Sequence, residues 1–149
     1  MDTFDILLTN LSIKGTYFDV SLYSGLLYLW DNPKEVSIYH WHKLMHHLTL
    51  TQLPIYQEPL TNQSLFMEES DLRPFLFKTL TFDFPVRDSF IFRHHLYFLD
   101  EEGFKERYPE NADTTSKLLV KGDFHQLVIG SNYRMILVSQ TDGIYEWHN

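Results

Sequence analysis

Tyr17-Phe18-Asp19-Val20-Ser21-Leu22-Tyr23-Ser24-Gly25-Leu26-Leu27-Tyr28-Leu29-Trp30 decides the class of this fold. Val20 and Leu22 fall between Asp19, Ser21 and Tyr23, the period-two alternation of a strand. Ser24-Gly25 is a turn signal, and an apolar run from Leu26 to Trp30 follows it. Two strands around a two-residue turn make an antiparallel hairpin. Composition agrees. Alanine, the best helix former, occurs once, at Ala112, while twelve Phe, nine Tyr and three Trp fill apolar positions.

Working outward, residues 6–44 read as a four-strand meander, with strands at 6–13, 17–23, 26–30 and 36–44. Lys14-Gly15 and Asp31-Asn32-Pro33-Lys34 make the other turns. The last strand has a rival. Asn32 as N-cap, Pro33 at the first helical position and Glu35 three beyond Asn32 form a helix start. Ile38, Trp41, Met45 and Leu48 then recur at helical spacing. Residues 46–86 are irregular, with a loop at 57–63, an acidic turn or one-turn helix at Glu68-Glu69-Ser70-Asp71, and a strand at 75–84.

A second meander is expected over residues 87–149. Residues 89–92 and 96–100 form a hairpin about Arg93-His94-His95, and the charged stretch 101–116 reads as a flexible loop or short helix. Strands at 118–121, 124–129, 135–139 and 144–147 close the chain. Their turns are Gly122-Asp123, Gly130-Ser131-Asn132 and Asp142-Gly143, the last a signal for a two-residue turn with both φ angles positive. One domain is expected, mostly β, built of antiparallel meanders with at most one or two short helices. Blade-like, sandwich and distorted-barrel arrangements all satisfy the pattern.

Leu27-Tyr28-Leu29-Trp30-Asp31 is echoed by Leu96-Tyr97-Phe98-Leu99-Asp100 and more loosely by Ile144-Tyr145-Glu146-Trp147. Each follows an apolar strand and a small or polar turn. This pattern resembles the blades of β-propellers, in which an aliphatic-aromatic strand leaves the turn and packs on its neighbours. The resemblance covers about half the chain; neither a repeated Trp-Asp closure nor a double glycine accompanies it.

The net charge is −8, with twelve basic residues scattered among twenty acids. Binding nucleic acid or an anionic membrane through phosphates needs clustered Lys and Arg, so neither partner is expected. No apolar run approaches the roughly 18 residues of a membrane span. Met1-Asp2-Thr3-Phe4-Asp5 lacks the basic start of a signal peptide. With no cysteine, disulfides, thiolate nucleophiles and sulfur-based zinc sites are excluded, and the cytoplasm is the expected location.

Histidine is the one chemical cluster. On a strand, His40 and His42 share a face, the His-x-His spacing of several metal sites; on a helix, His42 and His46 lie at i and i+4. A third ligand would have to come from Asp19, Asp83 or His94. No Gly-x-Ser-x-Gly elbow or phosphate-cradling glycine loop is present, and acid pairs such as Glu101-Glu102 sit in polar loops.

Aromatic side chains on alternating strands must in part face outward. Tyr39 and Trp41 are expected on one strand face, with Trp30, Tyr145 and Trp147 as further anchors. The expected function is a non-enzymatic interaction module or inhibitor, without cofactor, that binds a basic protein partner through an aromatic, acid-rimmed face. One alternative is a metal-binding domain or metal-dependent enzyme using a transition metal on His40, His42 and His46. Another is a structural subunit of a larger β assembly.

Overall fold

The computed structural model describes residues 10–51, 64–111, 115–130 and 134–148. The expected loop at 57–63, the start of the first strand and Ser131-Asn132 of one turn lie outside them. The fold is mostly β, as expected, with two short helices. β2 (Asp19–Tyr23), β3 (Leu26–Asn32), β4 (Glu35–His40) and β6 (Leu76–Thr81) form the first antiparallel sheet. The second is β7 (Asp88–Phe92), β8 (His95–Leu99), β9 (Gly103–Arg107) and β10 (Lys117–Lys121). The third is β11 (Phe124–Ile129), β12 (Arg134–Ser139) and β13 (Gly143–His148). Between β4 and β6 lie α1 (Trp41–Thr51), β5 (Ser64–Met67), α2 (Glu69–Leu72) and a 3-10 turn at Arg73–Phe75.

The sheets stack, and the echoed strands explain how. In β3, Tyr28 and Trp30 point toward the second sheet, where they pack with Ile91, Leu96 and Phe98. Leu27 and Leu29 point the other way, onto Leu44 and Leu48 of α1 and Leu72 of α2. In β8, Leu96 and Phe98 meet the first sheet, while Tyr97 and Leu99 meet Leu127, Met135 and Leu137 of the third. A strand covered on both faces reads as a continuous apolar run, which is why these two lose the alternation that β2 keeps. Trp30, Phe82 and Phe98 join the first two sheets directly, with ring centroids 5.2 Å and 5.0 Å apart along the series. The order is helical layer, first sheet, second sheet, third sheet.

Five details differ from the expectations. β1 (Asn10–Ile13) does not neighbour β2; it pairs in parallel with β5, so the first meander has three consecutive strands and takes β6 as its fourth. Segment 36–44 divides at His40, where β4 ends and α1 begins. Leu44 and Leu48 supply the buried helical stripe, whereas Asn32 caps no helix: its Oδ1 accepts the Lys34 N–H at 2.8 Å and closes the β3–β4 turn. Stretch 101–116 contains β9, whose alternation is hidden because Lys105 and Arg107 point inward opposite Phe104. β10 pairs with β9, so Gly122-Asp123 crosses between sheets instead of turning a hairpin. The last hairpin pairs Ser139 with Gly143 around the three-residue loop 140–142, and the positive φ (+96°) falls on Gly143, the first residue of β13. Ser139 Oγ accepts the Asp142 N–H there at 3.2 Å. The two-residue turns with both φ positive are Ser24-Gly25 (49° and 77°) and Arg93-His94 (48° and 65°).

Two predictions follow from this packing. Gly103 holds φ at +143°, and a Cβ there would lie 2.2 Å from the Val120 carbonyl oxygen. Gly103→Ala is expected to cost about 3 kcal/mol or more, measured by denaturant unfolding. Burial, reinforced by Glu110 and Tyr23, pushes the Tyr28 phenol up from 10.0 to about 12. The folded state therefore holds this proton more tightly. The associated stability is intact below about pH 10 and disappears on rising through about pH 12, a loss on the order of 2 kcal/mol. Tyr28→Phe should retain that much more stability at alkaline pH, read from unfolding midpoints across the range.

Candidate functional site

Two surfaces and one internal charge cluster account for the chemically distinctive side chains. The first surface is a cleft of about 590 Å³ where the turn ends of the first two sheets meet. It is lined by Ser24, Gly25, Leu26, His40, His42, Lys43, Phe77, His94 and Glu110. His40 ends β4, His42 and Lys43 open α1, Phe77 lies on β6, and His94 sits in the β7–β8 turn. Backbone pairing sets the junction: the Trp41 N–H donates to the Gly25 carbonyl at 2.9 Å. A Cβ on Gly25 would meet His42 Cδ2 at 2.3 Å, so the imidazole rests where only glycine leaves room.

His40 and His42 thus line one cleft, and His94 joins them as the sequence allowed; His46 is exposed farther along α1 and is not among the lining residues. The imidazoles are spread around the walls. His40 lies 5.0 Å from the Phe77 ring, and His94 is edge-on to Tyr23 at 5.6 Å with Nδ1 3.4 Å from Glu110 Oε1. Among the described residues, no group of three or more His, Asp or Glu side chains is placed to hold a metal ion. His40, His42 and His46 therefore do not form the expected metal shell in this conformation.

The expected aromatic face divides differently. Trp30 is 1% exposed in the core, and Tyr39 is buried against α1, so neither offers a ring to a partner. Burial pushes the Tyr39 phenol up, against a hydrogen bond from Ser37 that lowers it. Tyr39 and Trp41 cannot share a strand face, because the chain turns helical at Trp41, which is half-buried beside the same core. Trp147 is half-buried, with Tyr97 at 5.8 Å and Phe104 at 5.4 Å. Tyr145 remains exposed, edge-on to Phe124.

The second surface was missed among the anchors. In the third sheet Leu127, Met135 and Leu137 face the core, so alternation turns Val128, Ile136, Val138 and Ile144 to the opposite side. Register brings them together: Val128 is opposite Ile136, and Val138 is opposite Ile144. Ile144 is 74% exposed and Val128 39%, with Ile136 and Val138 half-buried. At one end Arg134 pairs with Glu146 at 3.2 Å, and His148 Nε2 lies 3.6 Å from the same carboxyl group. Glu146 lies opposite Ile136 and Gln126 opposite Val138, so the face is an aliphatic cluster bordered by polar side chains, and its carboxylate is paired with Arg134. The alternating residues were legible in the sequence, but not which side the stack would leave open.

The charge cluster lies in a cleft of about 430 Å³ between β6 and β9–β10. Lys105 Nζ is 2.7 Å from the buried Asp100 and also contacts Glu102. Desolvation lowers the Lys105 pKa, but hydrogen bonds from its ammonium to these carboxylates outweigh that and raise it overall. Arg107 donates to the Thr81 carbonyl at 2.7 Å and lies over the Phe82 ring at 5.1 Å. Burial lowers its pKa, opposed by Asp83. Asp100 also accepts the N–H groups of Glu102 and Gly103, which ties the cluster to the β8–β9 turn. The carboxylate contacts of Lys105 fasten the β8–β9 hairpin, and Arg107 reaches the first sheet through Thr81 and Phe82.

The chain matches no protein-family model, no curated protein and no solved structure.

Removing Asp100 leaves a buried ammonium short of its partner and two turn N–H groups without an acceptor. Asp100→Ala should cost about 3 to 5 kcal/mol. Lys105→Met should cost less, because the carboxylate keeps both backbone donors. Denaturant midpoints of the two variants test that order.

Proposed function

We propose that this chain is a non-enzymatic β interaction module that receives a partner protein's β-sheet on the outer face of β11–β13. The observation that carries the reading is the open cluster of Val128, Ile136, Val138 and Ile144. At the described interfaces between layers, sheet faces pack against other sheets or helices through side chains of the same kind. Fully burying one aliphatic side chain contributes about 1.5 to 3 kcal/mol, so a few such contacts at the centre of an interface suffice for specific association.

Charge has a separate part in this reading. The net charge of −8 favours the approach of a basic partner at long range, whereas the neutral sheet face selects an apolar surface at contact. The partner completes a layered β assembly, which joins the interaction and structural-subunit expectations in one activity. Lack of cysteine suits a reducing compartment, and the cytoplasm is the location we propose. Among the described residues no helix is long and apolar enough to cross a membrane.

Affinity capture from the native host, followed by measurement with the identified purified partner, tests the reading. Ile144→Asp should weaken binding by about 30-fold or more, equivalent to about 2 kcal/mol. Leu22→Asp, a matched change on exposed β2, should leave it unchanged. Binding that survives Ile144→Asp, or that Leu22→Asp abolishes equally, overturns the proposal.

A further inference from the structure

β13 is the third strand of its sheet along the chain, as β4 and β9 are of theirs, yet it alone has an open side. Among the described residues β4 lies between β3 and β6, β9 lies between β8 and β10, and β13 adjoins only β12. Exposure follows. β4 and β9 are buried or half-buried throughout, whereas five of the six residues of β13 are exposed. We infer that a second copy of this chain occupies the open side, β13 pairing antiparallel with its counterpart about a two-fold axis. Two three-stranded sheets thereby become one of six strands.

Charged side chains stand at the other edges of the stacked sheets. Beside β11, Asp88 Oδ2 accepts the Leu127 N–H at 2.7 Å and Arg87 donates to the Phe124 carbonyl at 2.9 Å. On β6, Lys78 donates to the carbonyls of Pro109 and Asn111, and β10 begins and ends with Lys117 and Lys121. At the starts of β2 and β7, the carboxylates of Asp19 and Asp88 accept the N–H of the next residue. Charges placed in this way keep strand edges from pairing. Glu146 of β13 is turned away from its edge, since its carboxylate reaches across to Arg134 of β12 at 3.2 Å.

A second copy suits this edge because β13 is complementary to itself in one register. A two-fold axis normal to the sheet makes the paired strands antiparallel and opposes only residues that share a face. Two such registers pair five residues of β13, either 143–147 about Tyr145 or 144–148 about Glu146. The axis at Glu146 sets that carboxylate against its own counterpart, and like charges directly opposite are destabilising. The axis at Tyr145 sets Ile144 against Glu146, Tyr145 against itself and Gly143 against Trp147. A Cβ on Gly143 would meet nothing within 4 Å, so the glycine leaves room for the opposing indole.

This pairing uses the edge of the third sheet and not its outer face. Tyr145 lies opposite Leu137 and therefore points to the inner side, away from Val128, Ile136, Val138 and Ile144. The aliphatic cluster stays open in the pair, and the two clusters lie on the same side of the six-stranded sheet. Net charge works against association, because each copy carries −8. The pair is accordingly a weak one that forms where salt screens this repulsion.

Sedimentation equilibrium of the full chain in about 150 mM salt should show a monomer–dimer equilibrium between about 1 and 100 µM. The chain has no cysteine, so Tyr145→Cys carries a single thiol. Opposed Cα atoms of an antiparallel pair lie about 4.5 to 5.5 Å apart, within reach of a disulfide, and oxidation should give a covalent dimer. His148→Cys should not cross-link, because its counterpart lies six residues along the paired strand, about 20 Å away. Tyr145→Lys sets two cations against each other and should weaken association about tenfold, with the thermal midpoint confirming that the variant is folded. A chain that is monomeric at about 100 µM, equal cross-linking of the two cysteine variants, or a dimer that Tyr145→Lys leaves unchanged overturns the inference. Both Tyr145 variants leave the outer face intact, so partner binding there is measured separately and can stand or fall alone.

Discussion

Burial of β3 and β8 on both faces is the constraint on which the rest of the molecule depends. Tyr28 and Trp30 cannot reach the second sheet unless Leu27 and Leu29 turn toward the helices, because successive side chains on a strand point in opposite directions. The same geometry in β8 commits Leu96 and Phe98 to one interface and Tyr97 and Leu99 to the next. Each central strand thereby fixes the spacing and order of three layers. The edge strands meet fewer demands, which is why β2 and β13 leave Val20, Leu22 and Ile144 in contact with solvent.

Polar chemistry enters where the apolar layers run out. Between the first two sheets the contact is aliphatic and aromatic across β7 and β8, then becomes charged at β9. Lys105 and Arg107 occupy inward positions there, kept by the Asp100 carboxylate, the Thr81 carbonyl and the Phe82 ring. At the turn ends of the same sheets, imidazoles line the cleft between them. Thus one junction carries two kinds of polar group, a paired charge cluster and a cleft lined by imidazoles.

Much of this fold was legible in local sequence. Strand runs and their turns announce hairpins through residues close together in the chain, and the repeated Leu-Tyr strands mark the doubly covered centres. Successive antiparallel meanders followed from the strand runs and turns, whereas the way the strands divide among sheets did not. What stayed hidden depends on long-range pairing. β1 finds β5 across the helical insertion, and β9 disguises its inward face with Lys105 and Arg107. The cleft was partly visible: His40 and His42 stood out by spacing, whereas Glu110 and Phe77 reach them only through the fold. Trp30 and Tyr39 were misjudged as anchors because composition does not reveal which aromatic rings a second layer will cover.

The layered order also governs how perturbations travel. The second sheet has a packed neighbour on either side, whereas the third has one. In such a one-dimensional array, stability is a sum of unit terms and nearest-neighbour couplings. The third sheet is then the natural place for fraying to begin, since only a single coupling restrains it. An occupant on its outer face would supply the missing second coupling. The resulting protection against hydrogen exchange would be greatest in β11–β13 and decay toward the helical end.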